Sequence, residues 1–244
     1  MGHLDKAADI IELGQSSLWV VYGKSTSGKT QFLSTFPKPM LYLQIGDDGS
    51  NTIANKAGIK AIRVTELSQL REIAQELKKD KTYKTVAVDT FGLIVNEWIN
   101  QNAIQKKKRL TQPMWGDLKT ETEEYIKLFH LLARDRIVVL TCHEVADSIE
   151  GYEDEISPDI RPNVSKGART YLEGMANYGI HMTVLTKDKE KPDGTVSQVT
   201  KFAAHLATNP YYWVKTQKPA EIKLPKLVYN PTYSKIMKLM KGES

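Results

Sequence analysis

Residues 23 to 30 read Gly23, Lys24, Ser25, Thr26, Ser27, Gly28, Lys29 and Thr30, which fits the pattern G-x-x-x-x-G-K-[ST] of a phosphate-binding loop. No other stretch constrains the fold as strongly, because the pattern requires a strand before it and a helix after it. The run Ser17 to Tyr22 is apolar up to the first glycine, as a strand buried on both faces would be. Residues 31–36 can form a short helix that stops at Pro37. Gly23 and Gly28 let the backbone turn its N–H groups toward phosphate oxygens, and the helix dipole reinforces that field. Lys24, Ser25, Thr26, Ser27 and Gln31 complete the cradle. Lys29 reaches the β- and γ-phosphates, and Thr30 offers a hydroxyl to Mg²⁺.

The pattern along the chain alternates strands and helices. Strands are expected at 40–45, at 85–88 ending on Asp89, and at 137–142; helices at 66–79, 91–105 and 117–134. The inward helical faces are Leu67, Leu70, Ile73, Ala74 and Leu77, then Ile94, Val95, Trp98 and Ile99, then Tyr125, Leu128, Phe129 and Leu132. Beyond residue 178 the pattern turns to strands at 179–185, 198–204 and 211–216, with a turn at 191–194. This predicts one α/β domain over 1–244, a mostly parallel sheet flanked by helices with antiparallel C-terminal strands. No apolar run approaches the roughly 18 residues of a membrane span, and no signal-peptide core is present, so a cytoplasmic location is expected. The single cysteine, Cys142, lies in an apolar run and reads as a buried thiol.

Val86, Ala87, Val88 and Asp89 form an apolar strand that delivers a carboxylate about 60 residues after the loop. Asp89 is therefore the second candidate metal residue, facing Thr30. The alternative is a plain helix cap. The turn after the second strand offers Asp47 and Asp48 as water-orienting carboxylates, or simply as turn formers. His143, directly after strand 137–142, can hydrogen-bond a γ-phosphate or serve as an ordinary turn residue.

Charge is unevenly spread. The chain carries a net +5, of which residues 187–244 supply +6 and residues 1–186 supply −1. Lys106, Lys107, Lys108 and Arg109 form a separate basic cluster, whereas Glu144 to Asp159 holds seven acids and no Lys or Arg. Such asymmetry suits a polyanion partner or complementary subunit faces.

Together the loop, the acidic turn, Val86 to Asp89 and the strand ending at His143 resemble the RecA-like P-loop NTPase core. More narrowly, the chain is similar over about residues 15 to 240 to phage nucleotide-binding proteins that act as RecA-like single-strand annealing proteins. Gln112 to Leu118 resembles that family's aromatic-Gly-Asp stretch, and Tyr212 to Lys218 its basic strand end. The resemblance implies an ATP- and Mg²⁺-dependent homo-oligomer, ring or filament, on single-stranded DNA in the cytoplasm, the host's if phage-encoded. A single-strand-binding protein is a further candidate partner. The DNA-facing loops would be about 105–117 and 144–170, giving Lys106, Lys107, Lys108, Arg109, Trp115, Lys166 and Arg169 as DNA contacts. The family usually has Glu where this chain has Asp47, which implies slow or DNA-stimulated turnover. No arginine follows Arg169, so a C-terminal finger acting on a neighbour's ATP would be Lys215 or Lys218. Two other classes stay open: a P-loop small-molecule kinase, and a nucleotide-gated adaptor of helicase-loader type.

Overall fold

The computed structural model describes residues 16–46, 50–150, 156–190 and 196–243. The elements run β1 (Ser17–Tyr22), α1 (Lys29–Leu33), β2 (Met40–Ile45), β3 (Ile59–Val64), α2 (Ser68–Lys79), β4 (Thr85–Asp89), α3 (Ile94–Ile99) and α4 (Gln112–Leu132). They continue with β5 (Ile137–Cys142), β6 (Glu144–Glu150), β7 (Ile156–Pro162), α5 (Lys166–Met175), β8 (Tyr178–Glu190), β9 (Val196–His205), β10 (Leu227–Tyr229) and α6 (Tyr233–Lys241). Among the described residues, one eight-stranded sheet has the order β10-β9-β8-β1-β5-β4-β2-β3, and β6 and β7 pair separately. The run from β8 to β3 is parallel throughout; β9 and β10 add antiparallel strands at the far edge.

Because side chains alternate across a strand, each continuous apolar strand feeds two cores. Leu18, Val20 and Tyr22 of β1 join Val86, Val88, Val138 and Leu140 under α2, α4 and α5. Trp19 and Val21 face the other way, with Phe32, Phe36, Ile180, Ile236 and Met240, under α1 and α6. Cys142 is fully buried, and burial pushes its thiol up to about 12, as a structural cysteine requires.

Several elements differ from the sequence pattern. The first helix spans Lys29–Leu33, so it begins on the loop itself. The stretch 91–105 is a short 3-10 turn, α3, and a π-helical turn at Asn100–Ile104, where one continuous helix was expected. α4 starts at Gln112, five residues before the expected 117; Pro113 is tolerated in its first turn, where a missing N–H costs nothing. β3 was not foreseen: it is an edge strand whose residues are mostly exposed, so it carries no apolar signature. Where a loop was expected over 144–170, Glu144–Glu150 and Ile156–Pro162 pair as antiparallel strands and α5 begins at Lys166. Residues 211–216 make isolated bridges, Tyr212 to Ile160 and Lys215 to Gly179, and no regular strand. The expected turn at 191–194 falls outside the described residues.

The 211–216 segment is nonetheless tightly held. The Tyr22 hydroxyl, buried at the end of β1, lies 2.8 Å from the Trp213 carbonyl and 3.1 Å from the Ile160 carbonyl. A Cβ on Gly179 would lie 2.5 Å from the Trp213 ring. Gly179→Ala is therefore expected to destabilise the fold by about 1–3 kcal/mol through overpacking, and a thermal melt should show a drop of roughly 2–4 °C per kcal/mol.

Candidate functional site

The loop between β1 and α1 arches as the sequence requires. Gly23 and Gly28 both take positive φ, 153° and 85°. A Cβ on Gly23 would meet the Met182 carbonyl oxygen at 2.2 Å, and one on Gly28 would meet the Phe202 ring at 2.6 Å. Only glycine fits either place, and the walls that exclude a side chain come from β8 and β9. Lys29 is buried; its Nζ donates to the carbonyls of Gly23 at 3.0 Å and Lys24 at 2.8 Å, which holds the amine across the arch.

The loop opens on a cavity of about 430 Å³ lined by Ser25, Thr26, Gly28, Lys29, Thr30, Gln31, Thr52, Asp89, Thr90, His143 and Phe202. Ser25, Thr26, Gly28, Lys29 and Gln31 of the cradle, both candidate metal residues and His143 thus meet in one place. β5 sits between β1 and β4 in the sheet, so His143, one residue beyond β5, stands between the loop and Asp89. Lys24 and Ser27 line a second cavity, of about 260 Å³, with Glu144, His181 and Tyr212. Asp47 and Asp48 lie outside the described residues.

Asp89 is buried and accepts hydrogen bonds from four hydroxyls. Thr30 Oγ1 and Tyr42 Oη each lie 2.8 Å from its Oδ2, Thr90 Oγ1 lies 3.1 Å from its Oδ1, and Thr141 also bonds Oδ1. The peptide from Asp89 to Thr90 is cis. Two of these donors, Tyr42 and Thr141, escaped the sequence reading. Each sits in an apolar strand whose pattern says only that it is buried; pairing of β2 with β4 aligns Tyr42 with Ala87, a short reach from Asp89. A hydroxyl and a carboxylate at hydrogen-bond distance form the hard oxygen pair that suits Mg²⁺, so the residues present fit that ion.

Next to the arch lies a histidine cluster that sequence patterns gave no hint of. His181 Nε2 is 2.8 Å from Glu144 Oε2, and its ring stacks on Tyr212 at 4.1 Å, with His205 beside both. Burial lowers the pKa of His181 against the opposing pull of Glu144. Burial, with a contribution from His181, lowers that of His205 to about 4.

The proposed DNA contacts separate into two groups. Lys106, Lys107, Lys108 and Arg109 are exposed on the connection before α4, and Trp115, half exposed at 50%, sits in the first turn of α4. Lys166 is exposed at the start of α5, but Arg169 is ion-paired with Asp147 of β6. Lys215 Nζ donates to the carbonyls of Glu173 and Gly174 at 3.0 Å, satisfying the end of α5, and burial lowers its pKa. Lys218 lies beside Ser16 at the start of β1, the end of the strand away from Gly23.

Residues 18–211 match the model of the AAA domain family AAA_24. The chain belongs to this AAA domain family. It is an AAA-type P-loop nucleotide-binding domain. No curated protein matches its sequence. Among solved structures it is similar to the P4 protein from bacteriophage phi13, at 12% identity and TM-score 0.37 over 77% of this chain and 58% of that one. It is also similar to the P4 protein from bacteriophage phi6 in complex with ADP, at 14% identity and TM-score 0.34 over 78% of this chain and 56% of that one. The chain thus spans less than two thirds of either phage protein. Among the described residues of the AAA domain, no helix is long and apolar enough to cross a membrane.

Tyr42→Phe removes one of the four donors to Asp89. The expected outcome is a loss of about 1 kcal/mol of stability and a several-fold rise in the Mg²⁺ concentration that supports half-maximal nucleotide binding, read by titration with a fluorescent ADP. Unchanged magnesium dependence would remove Tyr42 from the site. The histidine cluster gives a pH test. A depressed folded-state pKa means that the unfolded chain binds the proton more readily, so stability is fully present above about 6.5 and is lost as pH falls toward about 4. Urea unfolding at a series of pH values should show a smaller acid loss for His205→Gln than for the wild type.

Proposed function

We propose that this AAA domain is a RecA-like ATPase of phage recombination type, which binds ATP with Mg²⁺ and single-stranded DNA and promotes annealing or strand pairing. The observation that carries the reading is the position of His143. It lines the nucleotide cavity, and the next residue opens the β6–β7 hairpin. A contact that senses the γ-phosphate would thereby be one peptide bond from the paired strands β6 and β7.

The chemical roles follow from the residues. Loop amides from Ser25 to Gln31 bind phosphate oxygens, and Lys29 exchanges its carbonyl partners for them. Thr30 and Asp89 would hold Mg²⁺, which supplies charge neutralisation at the β- and γ-phosphates when bound. Asp47 or Asp48, at the end of β2, would orient the attacking water. Among the described residues no arginine lines the cavity, which disfavours the kinase reading, since phosphoryl transfer to a second small substrate calls for further cations.

DNA would lie on the exposed basic connection before α4, with Trp115 as the stacking residue. The acids of β6 and β7 repel phosphate less than their number suggests, because Asp147 and Asp159 are paired with Arg169 and Arg161. Assembly into a ring or filament belongs to the same reading, with Lys218, and Lys215 once released from the Glu173 and Gly174 carbonyls, as the cations offered to a neighbour's nucleotide.

DNA binding should therefore weaken steeply with salt, as counterion release predicts. Replacing Lys106, Lys107, Lys108 and Arg109 with Ser should flatten the salt slope measured by fluorescence anisotropy on an oligonucleotide. Trp115→Ala should cost about 1–3 kcal/mol of binding. A quadruple variant with normal slope and affinity would remove this segment, and ATP turnover indifferent to DNA would remove the recombination reading.

A further inference from the structure

At the foot of the sheet, the end of β1 away from Gly23, lies a cavity of about 820 Å³. Ser16 and Tyr178 line it from the sheet, Lys218 from the connection before β10, and Met237, Met240 and Lys241 from α6. Tyr178, Met237 and Met240 belong to the core under α1 and α6, and Met237 is only half-buried, so that core has an apolar rim here. Among the described residues no carboxylate lines the cavity, and Lys241 has no carboxylate partner. Ser16 Oγ is buried and has no hydrogen-bond partner among the described residues. An apolar rim, an unanswered positive charge and an unpaired hydroxyl call for an occupant with apolar side chains and carboxylates. The chain just before Ser16 has that composition, with Asp9, Ile10, Ile11, Glu12 and Leu13 in succession. Residues 1–15 hold three acids and one lysine, whereas residues 215–241 hold seven lysines and one acid. A chain spans at most about 3.6 Å per residue, so Leu13 lies within about 11 Å of Ser16 and Ile10 within about 22 Å by any path.

We propose that residues 9–13 dock in this cavity of their own chain, with their apolar side chains against Tyr178, Met237 and Met240 and their carboxylates beside Lys241. Removal of Ile10, Ile11 and Leu13 from water supplies the driving force. The charge contacts, at an exposed lysine, orient the segment more than they hold it. Docking closes the core under α1 and α6 at the end of the sheet that the nucleotide does not use. It also covers an apolar surface that would otherwise be offered to an outside partner. None of the residues that line this cavity lines the nucleotide cavity, so docking and nucleotide binding are separable.

The test is thiol accessibility in the full chain, where Cys142 is fully buried and gives no background. The thiol of Ile11→Cys should react with a maleimide on the order of tenfold more slowly than the same thiol in a synthetic peptide of residues 1–15. Adding Met237→Glu and Lys241→Glu should bring the rate to within about twofold of the peptide's, because a carboxylate then faces the apolar side chains and the cation is gone. Met237→Leu, which keeps the apolar rim, should leave the rate slow. Hydrogen exchange of the unsubstituted chain checks the same point without a cysteine: the amides of residues 10–13 should exchange on the order of tenfold more slowly than in the peptide. A peptide-like thiol rate together with peptide-like exchange in the wild type would overturn the docking. So would a slow rate that Met237→Glu with Lys241→Glu leaves unchanged, since the shelter would then lie elsewhere. A slow rate that rises on dilution, as a dimer dissociates, would make a second copy the occupant and overturn docking within one chain.

Discussion

A carboxylate taken out of water must be compensated, and the way Asp89 is compensated organises this molecule. Its partners are hydroxyls from α1, β2 and β5, together with its own neighbour Thr90. Neutral donors stabilise the anion without cancelling its charge. A lysine or arginine in the same place would neutralise it and leave little for a metal ion. The arrangement also demands the observed strand order. Thr141 reaches Asp89 only because β5 lies beside β4, and Tyr42 only because β2 lies on its other side. Burial, sheet topology and ion-binding chemistry are one constraint seen three ways.

The antiparallel strands at the sheet's far edge are part of the site as well. Met182 of β8 and Phe202 of β9 occupy the space that side chains on Gly23 and Gly28 would need. They press the phosphate loop into its arch from behind. His181, one residue before Met182, is tied to Glu144, one residue after His143. The base of the β6–β7 hairpin is therefore anchored to the strand that backs the loop. A shift of the phosphate loop has a short mechanical route to the hairpin through these two contacts.

Much of this was legible because the informative residues were local. The loop, the strands around it and Asp89 each carry their signal within eight or fewer consecutive residues. What escaped the sequence depends on distant partners. Tyr42 and Thr141 look like ordinary buried strand residues until β2 and β5 are set beside β4. β3 has an exposed face pattern because it closes a parallel edge, so neither alternation nor a continuous apolar run marks it. Residues 211–216 have the composition of a strand, but Tyr212, Trp213 and Lys215 are each used against a different neighbour: His181, the Tyr22 hydroxyl and the end of α5. The start of α4 was hidden by Pro113, which reads as a breaker unless it falls in a first turn.

The charge pattern also changes meaning once contacts are known. On the sequence, the acids of residues 144–159 face any polyanion with repulsion. In the fold, Glu144 is bonded to His181, Asp147 to Arg169, and Asp159 to Arg161, which also reaches Glu173 at 3.6 Å. Glu144, Asp147 and Asp159 are spent on holding the hairpin to α5 and β8, and Arg161 and Arg169 are spent with them. Lys106, Lys107, Lys108 and Arg109 have no carboxylate partner among the described residues, and they are exposed. Unpaired charge sets the field that a distant phosphate feels, whereas paired charge decays as a dipole. Beside Trp115 the chain therefore presents unpaired positive charge, whereas the paired charges of β6 and β7 add little to the field at a distance.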